Sequence, residues 1–210
     1  IGSNVLTRKD GTLDKERISS LTGQIAALHK AGIEIIMISS GAVASGKNEI
    51  KPQQKLDTVS ARQLFSAVGQ SKLINHYYKL FHNHKIVVGQ VLTTKENFSS
   101  RRHYLNMKNC INVMVANRVI PIVNENDTIS ITELMFTDND ELSGLIATMM
   151  DMEALIILSN IDGIYNGAPD NPASKVIRGI GNCKQDLSSC IQSTKSSFVR
   201  RGMLTTCHIA

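Results

Sequence analysis

Several short stretches of the chain place small, amide or acidic residues where they could meet an anion or a charged small molecule. Ser40-Gly41 opens the run SGAVASG over residues 40–46, directly behind an apolar segment. Such residues let backbone N–H groups approach an anion unobstructed, although Gly and Ser also end strands for purely conformational reasons. Asn124-Glu125-Asn126-Asp127 crowds polar side chains onto the end of a second apolar run. It reads either as a ligand-facing cluster or as an Asx-rich turn. Asp138-Asn139-Asp140 precedes a helical pattern with Leu142, Leu145, Ile146 and Met149 on one face. Asp138 or Asn139 can cap that helix, and a further carboxylate there can orient lysines or hold a metal near phosphate, since its oxygens only accept. Ser159-Asn160 follows a third apolar run, and Asp162-Gly163 behind it is an ordinary turn pair.

Other candidates carry less. His82 and His84 have no Cys or carboxylate partner at fixed spacing, so a solvated loop explains them better than a metal site. Arg101-Arg102 reads equally as a solvated helix start or a phosphate contact. The sequence contains no GxxxxGKS phosphate loop, GxSxG elbow or HExxH zinc helix.

The elements that must position these residues alternate. Asp14 can cap a helix in which Ile18, Leu21, Ile25 and Leu28 recur at helical spacing, with Gly32 placed to end it. Residues 33–39 (IEIIMIS) form an unalternating apolar run, the pattern of a parallel strand covered on both faces, and the Gly-rich segment 40–46 follows as a loop. A helix is predicted over 59–81, carrying Leu64, Val68, Leu73 and Ile74, then a strand over 85–92. Helix 99–117, strand 119–123 (VIPIV), helix 139–152 and strand 154–158 (ALIIL) complete the pattern. This alternation predicts an α/β fold with a mostly parallel sheet and helices on both faces, in which ligands collect outside the carboxyl ends of the strands. Beyond Gly179 the pattern weakens, and the Ser/Lys-rich stretch 193–197 reads as a mobile loop.

Composition narrows the class. At 210 residues, 42% hydrophobic and 20% charged, the chain suits one α/β core rather than a disordered or fibrous segment. No apolar run approaches the roughly 20 residues of a membrane helix, and no signal-peptide pattern precedes the first strand. The net charge of +5 comes with only 4% aromatic residues and no long basic block, which favours an anionic small substrate over nucleic acid. Cys110, Cys183, Cys190 and Cys207 form no CxxC pair and are expected as reduced thiols, with Cys110 as a small buried helix residue.

In order, IGSN at Ile1, SSGAVASG at Ser39, AVGQSKL at Ala67, RRHYLN at Arg101, VIPIVNENDTI at Val119, TDNDELS at Thr137 and LSNIDGIY at Leu158 resemble the glutamate 5-kinase branch of the amino acid kinase family. The resemblance runs through nearly the whole chain. It implies a three-layer α/β/α sandwich and an ATP-dependent phosphorylation of the glutamate side-chain carboxylate, the first step of proline biosynthesis. Residues 1–210 would be an amino acid kinase domain lacking its extreme N-terminus and C-terminal end, with no second domain visible. Carried over residue by residue, Ser40, Gly41, Asp127 and Asn139 would bind glutamate, Asp127 holding its α-amino group. Gly2 and Ser3 would surround the transferred phosphoryl, and Asp140 would orient two catalytic lysines. Ser159, Asn160, Gly202, Met203, Thr205 and Thr206 would contact the nucleotide, ATP carried with Mg²⁺; no protein metal site is implied. The resemblance further implies a cytoplasmic homo-oligomer subject to feedback by proline, without membrane or nucleic-acid partners.

Two departures qualify it. The family's first catalytic lysine would fall one position ahead of Ile1. The family's nucleotide loop resembles GxGGMxTK, whereas Val199, Arg201 and Thr206 stand here where two glycines and the second lysine belong. A hydroxyl cannot supply that charge, so a catalytically impaired paralogue that binds glutamate or proline as a sensor is the alternative expectation.

Overall fold

The computed structural model describes residues 1–130, 136, 139–160, 162–163, 165–166, 171 and 173–179. Its elements are α1 (Ser3–Leu6), α2 (Lys15–Lys30), β1 (Met37–Ile38), α3 (Ala42–Lys47), α4 (Thr58–Asn83), β2 (Val88–Thr93), α5 (Lys95–Ser99), α6 (Arg101–Ala116), β3 (Ile120–Glu125) and α7 (Asn139–Met150). The predicted loop 193–197 lies outside the described residues, as do Asp138, Cys183, Cys190 and Cys207.

Local chemistry sets the helix ends. The Asp14 carboxylate accepts from Arg17 N at 3.1 Å to start α2, and Gly32, at φ 96°, carries the chain out of it. The Asp57 carboxylate accepts from both Val59 N and Ser60 N and starts α4. The helix expected over 99–117 is α6, and Ser100, extended at φ −92° and ψ 116°, separates it from the short α5 before it. Two expected core positions are turned outward. On α2 the buried set is Ile18, Thr22, Ala26 and His29, which leaves Leu28 on the neighbouring face at 45% exposure. On α6 Ile111 is the buried residue, and Cys110, about 100° round the helix, is an exposed free thiol.

The three strands are parallel in the order β1-β3-β2. Their side chains divide by parity. Met37, Ile120 and Ile122 pack with Ile18 and Ala26 of α2 and Leu73, Tyr77 and Phe81 of α4. Ile38 and Val123 pack on the opposite face with Ile111 of α6 and Leu142, Ile146 and Met149 of α7. The result is a three-layer α/β/α sandwich around a parallel sheet.

Strand bounds differ from the sequence pattern in an informative way. Only Met37 and Ile38 of the run 33–39 pair with β3, and Ile33 is 50% exposed. β3 instead runs two residues past the expected end, taking Asn124 and Glu125 into the ladder. Among the described residues the apolar run 154–158 forms no strand and makes one backbone bond to another segment, Gly2 N donating to Leu158 O at 3.2 Å, and Ile156 is 75% exposed. Apolar composition alone does not make a strand without a ladder partner.

The segment expected as a Gly-rich loop over 40–46 is mostly helix. Gly41 turns the chain at φ 103°, a conformation costly for any residue with a Cβ, and α3 starts at once. α3 then crosses α4 at backbone contact. A Cβ on Gly46 would lie 1.8 Å from Phe65 O, and one on Gly69 would lie 1.8 Å from Ala42 O. Gly69→Ala is therefore expected to lower unfolding stability by at least about 1–3 kcal/mol in a denaturant titration of the intact protein. Gly23→Ala, where a Cβ meets nothing within 4 Å in the interior of α2, should raise it by about 0.5–1 kcal/mol. Equal effects at the two sites would contradict the packing described.

Candidate active site

Because β1 and β3 are adjacent, with Ile38 level with Val123, their carboxyl ends release Ser39-Ser40 and Asn124-Glu125 side by side. A crevice of about 490 Å³ opens there. It is lined by Gly2, Ser3, Ser40, Gly41, Asp127, Asn139, Asp140, Ser159 and Asn160 among others, so residues from five separate stretches of sequence converge. Gly202, Met203, Thr205 and Thr206 lie outside the described residues.

One wall is a relay of amides. Asn124 Nδ2 donates to Gln70 Oε1 at 2.9 Å, which turns Asn124 Oδ1 to accept from Asn139 Nδ2 at 3.2 Å. Asn139 Nδ2 also donates to Ser40 Oγ at 2.8 Å. Asn139, the first residue of α7, thus reaches across to Ser40 behind β1 and to Asn124 of β3. Ser40, accepting from Asn139, retains its O–H as a donor.

The second wall is ionic. Glu125 and Asp127 are 5% and 6% exposed, and burying two carboxylates together is costly unless cations and donors meet them. Arg62 of α4 meets both. Its Nε donates to Asp127 Oδ1 at 2.7 Å and its Nη2 to Glu125 Oε2 at 3.0 Å, with a further Nη2–Asp127 ion pair. Ser66 Oγ donates to Asp127 Oδ2 at 3.1 Å, and Glu125 Oε1 accepts from Phe136 N at 3.0 Å. The cluster Asn124–Asp127 is therefore neither wholly strand end nor wholly turn: Asn124 and Glu125 end β3, and the turn begins after them.

Arg62, Ser66 and Gln70 went unremarked in the sequence, although a signal exists. They recur at i, i+4 and i+8 and continue the face that carries Leu73, Tyr77 and Phe81. A polar stripe collinear with a core stripe marks a helix that runs from a core into a site.

Residues 1–210 match the sequence model of the Amino acid kinase family, and the chain belongs to that family. Its branch follows from named relatives. The chain is 73% identical over its whole length to a glutamate 5-kinase of Bacteroides thetaiotaomicron and 47% identical to one of Chlorobaculum tepidum, spanning 58% of the length of each. It is 35% identical over 98% of its length to a glutamate 5-kinase of Clostridium acetobutylicum, of which it covers 77%. These relatives place it in the glutamate 5-kinase branch.

Beneath the crevice, Ser39 Oγ and Tyr77 Oη share a 2.8 Å hydrogen bond, which ties the start of the Ser39-Ser40-Gly41 turn to the core face of α4. Burial pushes the Tyr77 phenol up to about 12, against a smaller opposing effect of the Ser39 contact. The folded state favours the neutral phenol, so this contribution to stability is complete below pH 10 and is lost as pH rises through about 12. Difference titration of tyrosinate absorbance between the intact protein and Tyr77→Phe should show a step missing near pH 12 in the variant. A missing step near pH 10 would mean that the phenol is not buried as described.

Proposed function

We propose that the protein carrying this chain transfers the γ-phosphoryl of ATP to the side-chain carboxylate of glutamate, the first step of proline biosynthesis. The observation that carries the reading is the convergence of Ser40, Asp127 and Asn139 with Gly2, Ser3 and Asp140 in one crevice at the carboxyl edge of a parallel sheet. Similarity to named glutamate 5-kinases supports it.

Asp127 receives the α-ammonium, since its oxygens retain acceptor capacity beyond the bonds from Arg62 and Ser66. Ser40 and Asn139 fix the polar ends of the amino acid through the donor and acceptor that their mutual bond leaves unused. Gly2 and Ser3 surround the transferred phosphoryl, and Ser159 and Asn160 contact the nucleotide. Asp140 orients cationic groups near the first residues.

The small and hydroxyl-bearing residues of the crevice suit a phosphate ligand. Mg²⁺, arriving with the nucleotide, supplies charge neutralisation on the phosphates. An oxygen of the glutamate side chain bonds to the γ-phosphorus, the bond to the β–γ bridging oxygen breaks, and ADP departs with the electron pair. A carboxylate is already ionised at neutral pH, so no general base is required and positioning carries the catalysis. On this reading residues 1–210 form the kinase domain of a cytoplasmic homo-oligomer whose glutamate crevice also admits proline as inhibitor. Among the described residues no helix is long and apolar enough to cross a membrane.

The test is calorimetric titration of the intact protein with glutamate, then with a non-hydrolysable ATP analogue and Mg²⁺, followed by an ADP-release assay. Both ligands should bind, and ADP release should require glutamate. Asn139→Ala should raise KM for glutamate about tenfold, the cost of one or two hydrogen bonds, with KM for ATP little changed. Glutamate binding without ADP release would favour the sensor; absence of both would end the kinase reading.

A further inference from the structure

Arg62 does more than offset buried charge. The crevice wall holds two buried carboxylates, Glu125 and Asp127, and one guanidinium. An α-amino acid docking at Asp127 brings an ammonium, which that pair of carboxylates welcomes, and an α-carboxylate one carbon away, which it repels. A third carboxylate there requires a cation within reach.

Among the described residues that line the crevice, Arg62 is the cation. Its side chain is 27% exposed, and its Nε and Nη2 are committed to Asp127 and Glu125. Nη1 donates to no described group. A guanidinium can bond two carboxylates along one edge and present its remaining N–H groups to a third, which a lysine ammonium cannot do with the same fixed geometry.

We propose that Arg62 is a specificity-determining residue that receives the α-carboxylate of the amino acid substrate on Nη1 while Asp127 holds its α-ammonium. The assignment rests on the glutamate-phosphorylating reading above and identifies which part of the substrate this wall recognises. Together the two residues read the α-amino acid end as a zwitterion. The side-chain carboxylate is left to face Gly2, Ser3 and Asp140.

The experiment compares kcat/KM of the intact protein for glutamate, for 4-aminobutyrate, which lacks only the α-carboxylate, and for glutarate, which lacks only the α-ammonium. The wild type should reject both analogues strongly. In Arg62→Met, discrimination between glutamate and 4-aminobutyrate should fall by about tenfold to a hundredfold, the worth of a charge-assisted hydrogen bond, with KM for ATP unchanged. Discrimination against glutarate should persist. Arg62→Lys keeps one charge without the fork and should show an intermediate loss; it decides the matter if Arg62→Met does not fold. Wild-type turnover combined with unchanged discrimination against 4-aminobutyrate in the folded variant would overturn the role of Arg62 alone. So would a loss confined to glutarate discrimination, which would mean that Arg62 acts only through Asp127. No glutamate-dependent turnover in the wild type would instead defeat the underlying kinase reading.

Discussion

The arrangement depends on two carboxylates buried at the carboxyl end of the central strand. Glu125 ends β3 and Asp127 sits in the turn behind it, both almost without solvent. Leaving either without a partner would cost about 3–5 kcal/mol, a large share of the stability of an ordinary domain. Much of the compensation comes from a different layer, Arg62 and Ser66 of α4, beside the Phe136 N–H on Glu125. The site therefore exists only if the N-terminal half of α4 lies close over the strand ends. That proximity is bounded by α3, which links the Ser40-Gly41 turn to α4 through backbone contact at Gly46 and Gly69. Charge burial, helix approach and loop position are thus one constraint met by three stretches of sequence.

α4 shows how one helix face serves two purposes. Leu73, Tyr77 and Phe81 are buried against the sheet in its C-terminal half. In the N-terminal half the same face carries Arg62, Ser66 and Gln70, which bind Asp127, Glu125 and Asn124. The change occurs near Gly69, where the missing side chain lets α3 in. Tyr77 stands on the core side and still reaches Ser39, so the apolar half also holds the floor of the crevice.

Much of this was legible in the sequence, and what was not has physical causes. Helices with strong caps and apolar periodicity, such as α2 behind Asp14 and α7 with Leu142, Ile146 and Met149, emerge close to their expected bounds. The polar residues after strand ends could be singled out because a parallel sheet directs them to one edge. Pairing was not legible: 154–158 is as apolar as 119–123, yet among the described residues only the latter finds ladder partners. The helical form of 40–46 was hidden because its small residues, suggestive of a loop, are required by α4 passing over them. Arg62 was missed because a lone arginine on a helix is ordinarily solvated; its meaning comes from carboxylates more than sixty residues away.

The Asp127 end of the crevice is firmly built. At the Asp127 end every polar side chain named above is tied to another element by at least one bond, and those bonds are buried or partly buried. A buried polar network of that kind rejects a ligand lacking the matching group more sharply than an apolar pocket rejects a missing methylene, because the unmatched partner is left unpaired. At the other end, 154–160 joins the rest of the described residues through one backbone bond, Gly2 N to Leu158 O, and leaves Ile156 open. On the proposed reading, amino acid selectivity resides at the preorganised end. The other end, where Ser159 and Asn160 line the crevice, has only to accept the phosphates and nucleotide, a ligand whose charge and bulk supply binding energy of their own.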